Sequence, residues 1–133
     1  ICGPTFKKKG SKISHGITIQ QKDKFLRYVN FIEVNVPLFN RVALDNLMKY
    51  YDPVLIGWGV DYLAIWANGQ NSKNKFALVD AVSCINPYDK KKNNKRELLG
   101  LERANRRMYD WNEFKNKLNI KEWKHKTYSF IKK

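Results

Sequence analysis

Ile56-Gly57-Trp58-Gly59-Val60-Asp61-Tyr62 is the stretch from which the rest of the chain is read. Two glycines bracket a tryptophan, and an acid follows two residues later. Gly57 and Gly59 admit backbone angles that other residues resist. A loop of this kind presses its backbone against a ligand and holds Trp58 as a flat wall. Asp61 then falls in the first turn of the following helix, near its positive end. The plainer alternative is a tight turn, a buried indole and an acid that caps a helix.

Working outward, Asn40 is placed to cap a helix running to about Tyr51. Leu44, Leu47, Met48 and Tyr51 make one apolar stripe on it, and Asp52-Pro53 stops it. On the other side a helix is expected from about Val60 to Asn68, with Tyr62, Ile65 and Trp66 on one face and Asn68-Gly69 as its end. Flanking these are two runs of strand character. Residues 25–36 are rich in β-branched and aromatic side chains on both alternating faces, the mark of a strand covered on both sides. Glu33 is out of place in such a strand and must be paired, hydrogen-bonded or turned into a cleft. Pro37 closes that run. Residues 75–85 form the second buried strand, interrupted by Asp80 and ended by Asn86-Pro87.

Beyond these lie less patterned segments. Residues 1–24 read as a basic loop or linker, with Ile17-Thr18-Ile19 as a short strand. Residues 89–96 are a highly charged loop. A helix is expected through Leu98, Leu101, Ala104, Met108 and Trp111, with Asp110 and Glu113 as a capping box that restarts it. Residues 120–133 read as a basic aromatic tail in which Trp123, Tyr128, Phe130 and Ile131 alternate with lysines, a composition that suits an anionic membrane surface. The order strand, helix, loop, helix, strand, helix belongs to the α/β class, with residues 25–119 as its domain.

The 133 residues carry 26 Lys plus Arg against 12 Asp plus Glu, a formal charge of +14 that favours anionic partners. Hydrophobic residues at 43% exclude wholesale disorder. No apolar run approaches the ~18–20 residues of a membrane span. Cys2 and Cys84 form no disulfide framework, which fits a reducing, cytoplasmic setting. No Walker loop, GxGxxG, serine elbow or zinc pattern is present. His15 and His125 lie far apart in basic, polar surroundings and are expected at the surface. The chain opens at Ile1 rather than Met, and we expect a fragment.

Chemistry is therefore sought in the three acids beside apolar segments: Glu33, Asp61 and Asp80. In α/β sheets, ligands gather at the carboxyl ends of strands and in the loops that follow. A carboxylate held in a partly dry cleft there can act as a general base.

Four motifs in succession carry a resemblance: Asn30-Phe31-Ile32-Glu33, then Val36-Pro37-Leu38-Phe39-Asn40-Arg41, then Gly57-Trp58-Gly59-Val60-Asp61, then Leu78-Val79-Asp80. Over residues 11–100 the chain resembles the DUF-707 family. That family is similar to GT-A-fold glycosyltransferases of the galactosyltransferase type, in which a Gly-Trp-Gly loop followed by acids closes on the acceptor. The resemblance implies the acceptor-side part of a GT-A-like fold. It implies Asp61 and Glu33 as catalytic acids, and Trp58, Gly57, Gly59, Arg41 and Asn30 as substrate-binding residues. Two departures stand out. The family's Asp-x-Asp, which holds the nucleotide diphosphate through Mn or Mg, is missing here and would lie upstream. Cys84 stands where the family tends to place a metal-binding histidine, with Asp80 a second metal candidate. The implied reaction moves a sugar from a nucleotide-sugar to a carbohydrate or lipid-linked hydroxyl, in the cytoplasm or at the membrane periphery. The rival reading is a non-enzymatic basic module that binds nucleic acid or anionic membrane, supported by the charge and by the lysine–aromatic tail.

Overall fold

The two runs read as buried strands do pair, and with each other. Strand β2 (Lys24–Val29) lies antiparallel to β3 (Ala77–Cys84), with Arg27 opposite Leu78 and Tyr28 opposite Ala77. Strands covered on both faces still need a hydrogen-bonded neighbour along each edge. Both neighbours come from segments expected to be linker and tail. Strand β1 (Cys2–Phe6) runs parallel to β3, and β4 (Thr127–Lys132) runs antiparallel to β2. The sheet order is β1-β3-β2-β4. This is a computed structural model, and it describes residues 1–87 and 100–133. It is mixed α/β, with helices α1 (Arg41–Met48), α2 (Val60–Ala67) and α3 (Arg107–Lys117).

The expected division into 1–24, 25–119 and 120–133 is thus corrected, because both ends build the sheet that the middle requires. β4 is an exposed edge, and Lys132 with Thr127 and Ser129 gives it a polar character that blunts it against further pairing. That polarity is what made the segment read as a tail. Ile17-Thr18-Ile19 is not a strand: Gly16–Thr18 is a single 3₁₀ turn, and Ile19 makes one isolated bridge to Phe6. The strand expected over 25–36 stops at Val29. Phe31 and Ile32 remain buried but irregular, so their apolar character serves packing and not a ladder.

Asn40 caps α1 as its type suggests, its Oδ1 accepting from Ala43 N at 2.8 Å. The stripe expected on this helix packs only in part: Leu47 is buried and Tyr51 half-buried, Leu44 and Met48 are exposed, and Ala43 is buried beside Leu47. The buried Asn68 amide fixes the choice, donating to the carbonyls of Ala43 and Ala64 and accepting from Asn46. Helix α2 is the wedge of the core. Ile65 packs with Val29, Ile32, Phe76 and Leu78 on the sheet side, and Leu63 and Ala64 pack with Leu47, Leu55, Trp111 and Ile120 on the other. Helix α3 runs unbroken through Asp110 and Glu113, so no capping box restarts it there. Leu98 and the charged run 89–96 lie outside the described residues. Among the described residues no helix is long and apolar enough to cross a membrane.

Candidate functional site at the head of helix α2

The Gly-Trp-Gly stretch is the entry to α2, and both glycines are needed. Gly57 has φ 59° and Gly59 has φ 81°, in the left-handed region that glycine tolerates. Gly59 has a further reason. Trp111 of α3 lies so close that a Cβ at position 59 would stand 2.2 Å from its indole Cδ2. The loop holds Trp58 at the surface, 43% exposed, with the Arg107 guanidinium 5.8 Å from the ring centre.

Asp61 follows in the first turn of α2, as its spacing suggests. Burial raises its carboxyl to about 6, against the opposing pull of backbone N–H donors at Tyr62 and at Asp61 itself. Oδ1 accepts from Tyr62 N at 3.0 Å. An acid with a pKa near 6 is mostly ionised at neutral pH yet still basic enough to accept a proton, which is the balance that general-base work favours.

Beside it stands a cluster that sequence reasoning missed. His15, expected at the surface, precedes the 3₁₀ turn. His125, also expected there, precedes β4. The fold brings them to a ring-centre separation of 5.2 Å, in contact with Phe31 and Tyr62. Tyr62 Oη and His125 Nε2 are 3.2 Å apart. Burial lowers the pKa of both histidines, and His15 is lowered further by the charge of His125. Burial and then the Asp61 carboxylate push the Tyr62 hydroxyl up. A signal was present in the chain, since each histidine sits a few residues from aromatic or glycine positions. Their pairing needs the closure of 110 residues of chain, which no local pattern carries.

The other candidates separate by role. Asn30 is buried, and every polar group of it is spent on the segment before β4. Its N donates to Lys126 O, its Nδ2 to Lys124 O, and its Oδ1 and O accept from Lys126 N and Trp123 Nε1. Asn30 is therefore a clamp and not a substrate contact. Arg41 is exposed and pairs with Asp45 along α1. Glu33 is half-buried, with Asn35 Nδ2 2.6 Å from its Oε1. Its charge reaches Cys84, whose thiol is pushed up chiefly by burial.

Asp80 is fully buried against Arg27, with Arg27 Nε 2.7 Å from Oδ2 and Nη2 3.1 Å from Oδ1. Gln21 N also donates to Oδ1 at 2.7 Å. Two further donors of the guanidinium go to the carbonyls of Ile17 and Ile19. Both oxygens of Asp80 are thus committed, and no group of three His, Cys, Asp or Glu gathers among the described residues. The metal candidates Asp80 and Cys84 do not fit a divalent centre. Two concavities of about 320 and 330 Å³ open around Ile1 and Asn40, and neither is lined by Trp58, Asp61 or Glu33. What the fold assembles is Trp58 and Gly59 against α3, with Asp61 following in the first turn of α2. No protein-family model, curated protein or solved structure matches the chain.

Proposed function

We propose that this chain is the acceptor-side part of a GT-A-like glycosyltransferase, which moves a sugar from a nucleotide-sugar donor to a carbohydrate or lipid-linked acceptor hydroxyl. The observation that carries the reading is Asp61. Its carboxyl is raised to about 6 by burial, at the positive end of α2 and three residues after a half-exposed tryptophan on a two-glycine loop. Trp58 takes the apolar face of a sugar ring. Asp61 accepts the proton of the acceptor hydroxyl as its oxygen bonds to the anomeric carbon and the nucleoside diphosphate leaves. The net charge of +14 suits both that leaving group and an anionic membrane nearby. Donor binding falls to an Asp-x-Asp segment outside these 133 residues, so the chain by itself is expected to be inactive. The test is a panel of nucleotide-sugars and acceptor glycosides with the complete protein, read as released nucleoside diphosphate. Release that requires acceptor and is lost in Asp61→Asn supports the reading. A complete protein that transfers no sugar removes it.

A further inference from the structure

The concavity of about 320 Å³ beside α1 takes no part in the sugar-transfer reading. It is bounded by the start of α1, the end of α2 and the segment that leads into β3. Asn40, Asn46, Asn68, Asn74 and Lys75 line it, and no acid among the described residues does. Its size falls within the range of small-molecule sites. Asn40, Asn74 and Lys75 are exposed, so a solute reaches them.

The hydrogen bonds of these side chains decide what the concavity accepts. Each amide oxygen is already engaged inside the protein. Asn40 Oδ1 accepts from Ala43 N at 2.8 Å, and Asn46 Oδ1 accepts from Lys49 Nζ at 3.1 Å. Asn68 Oδ1 accepts from Asn46 Nδ2 at 3.1 Å, and Asn74 Oδ1 accepts from Ser72 Oγ at 3.2 Å. Asn68 Nδ2 is spent on the carbonyls of Ala43 and Ala64. Among the described residues nothing accepts from Asn40 Nδ2 or Asn74 Nδ2. Lys75 Nζ donates to Asn68 O at 3.3 Å, and an ammonium has further protons to give. The side-chain groups left over are all donors, and the one charge among them is positive.

A ligand that answers such a set brings acceptors and negative charge, and needs no acceptor in return. Ionised carboxylates and phosphates are of this kind. A sugar hydroxyl would bring a proton that finds no free side-chain oxygen. Val42, Ala43 and Phe76 complete the wall with apolar surface, which suits an anion that carries a short hydrocarbon part.

We propose that this concavity binds a small organic anion, a carboxylate or a phosphate ester, held by the amide N–H groups of Asn40 and Asn74 and by the Lys75 ammonium. Neither Trp58 nor Asp61 lines it, so the binding stands or falls independently of sugar transfer.

The experiment is a nitrogen–proton NMR titration of the protein with butyrate, inorganic phosphate and phenyl phosphate, following the side-chain amides of Asn40 and Asn74. It is run at physiological salt, which screens loose pairing on so basic a surface. Wild type is compared with Asn40→Asp and Lys75→Met, and thermal melting serves as the control. Asp caps a helix about as well as Asn. Asn40→Asp therefore keeps α1 while it replaces the donor with a negative charge. We expect at least one probe to saturate a single site, to shift both amides and to bind each variant roughly 10- to 100-fold more weakly. Binding of butyrate alone assigns the site to carboxylates, and binding of the two phosphates alone assigns it to phosphoryl groups. If Asn40→Asp melts early, the exposed Lys75→Met carries the comparison. No saturable binding of any probe, binding that leaves both amides unmoved, or equal binding by wild type and variants overturns the proposal.

Discussion

Trp111 occupies the volume that any side chain on Gly59 would need, with its indole Cδ2 only 2.2 Å from where a Cβ would stand. The glycine loop is therefore shaped from two directions: by its own left-handed backbone and by a helix some fifty residues further on. Gly59→Ala must strain the backbone and also displace the indole. It is expected to cost roughly 3 kcal/mol or more. Denaturant unfolding measures this, and a near-normal midpoint would show that Trp111 moves aside freely.

Asp61→Asn separates a base from a local hydrogen-bond acceptor. As a base, the loss should lower sugar-transfer turnover in the complete protein by ~10²–10⁴-fold with little change in acceptor KM. If Asp61 serves only to accept from Tyr62 N, the Asn oxygen does so nearly as well and turnover should hold.

The same substitution carries a stability signature. Folding raises the Asp61 carboxyl from 3.8 to about 6, so the folded state holds this proton more tightly than the unfolded state. Its favourable contribution is full below pH 3.8 and is lost as pH rises to about 6, after which it is flat. Asn carries no such dependence. Between pH 3.5 and pH 7, wild type should therefore lose about 1–3 kcal/mol relative to Asp61→Asn. Parallel melting curves for the two proteins across that range would remove the buried-charge account.

The histidine pair acts with the opposite sign. His15 and His125 are held below their ordinary value of 6.5 when folded, so the unfolded chain takes up protons more readily. Their contribution is full above pH 6.5 and is lost as pH falls through the lowered folded values. Melting temperature should drop on acidification from pH 7 to pH 5, and His125→Gln should flatten part of that drop. An identical slope in the variant would show that the cluster accommodates the charge.

Asp80→Asn should be among the most damaging single changes. It leaves the fully buried Arg27 guanidinium without its counter-charge. Breaking one half of a buried ion pair costs ~3–5 kcal/mol. Added Mn or Mg should not rescue the variant, and rescue would return Asp80 to metal binding.

Deleting residues 121–133 should unfold the protein and not merely trim it. The segment supplies β4, the Trp123 indole packed on the core and the backbone that saturates Asn30. A cooperative, wild-type-like melt after deletion would return these residues to the status of a tail.

Much of the local structure was legible. The Asn40 cap, the entry of α2 after Gly59, its close at Asn68-Gly69 and the two central strands all follow from short-range rules that residues obey with their immediate neighbours. The placement of Asp61 in the first turn was legible for the same reason. Arg27 was not. An arginine in a strand reads as solvent-facing, and only Asp80, 53 residues away, makes its burial tolerable.

What the sequence by itself determined is the mixed α/β class, the glycine loop and the acid behind it, because periodicity, caps and backbone freedom act over a few residues. Tertiary structure decided which polar segments became β1 and β4, and it separated the committed Asp80 from the raised Asp61. It also made two distant histidines neighbours. Those outcomes depend on burial and on partners far away in the chain, and a side chain's charge, pKa and hydrogen bonds are fixed only when its surroundings close around it.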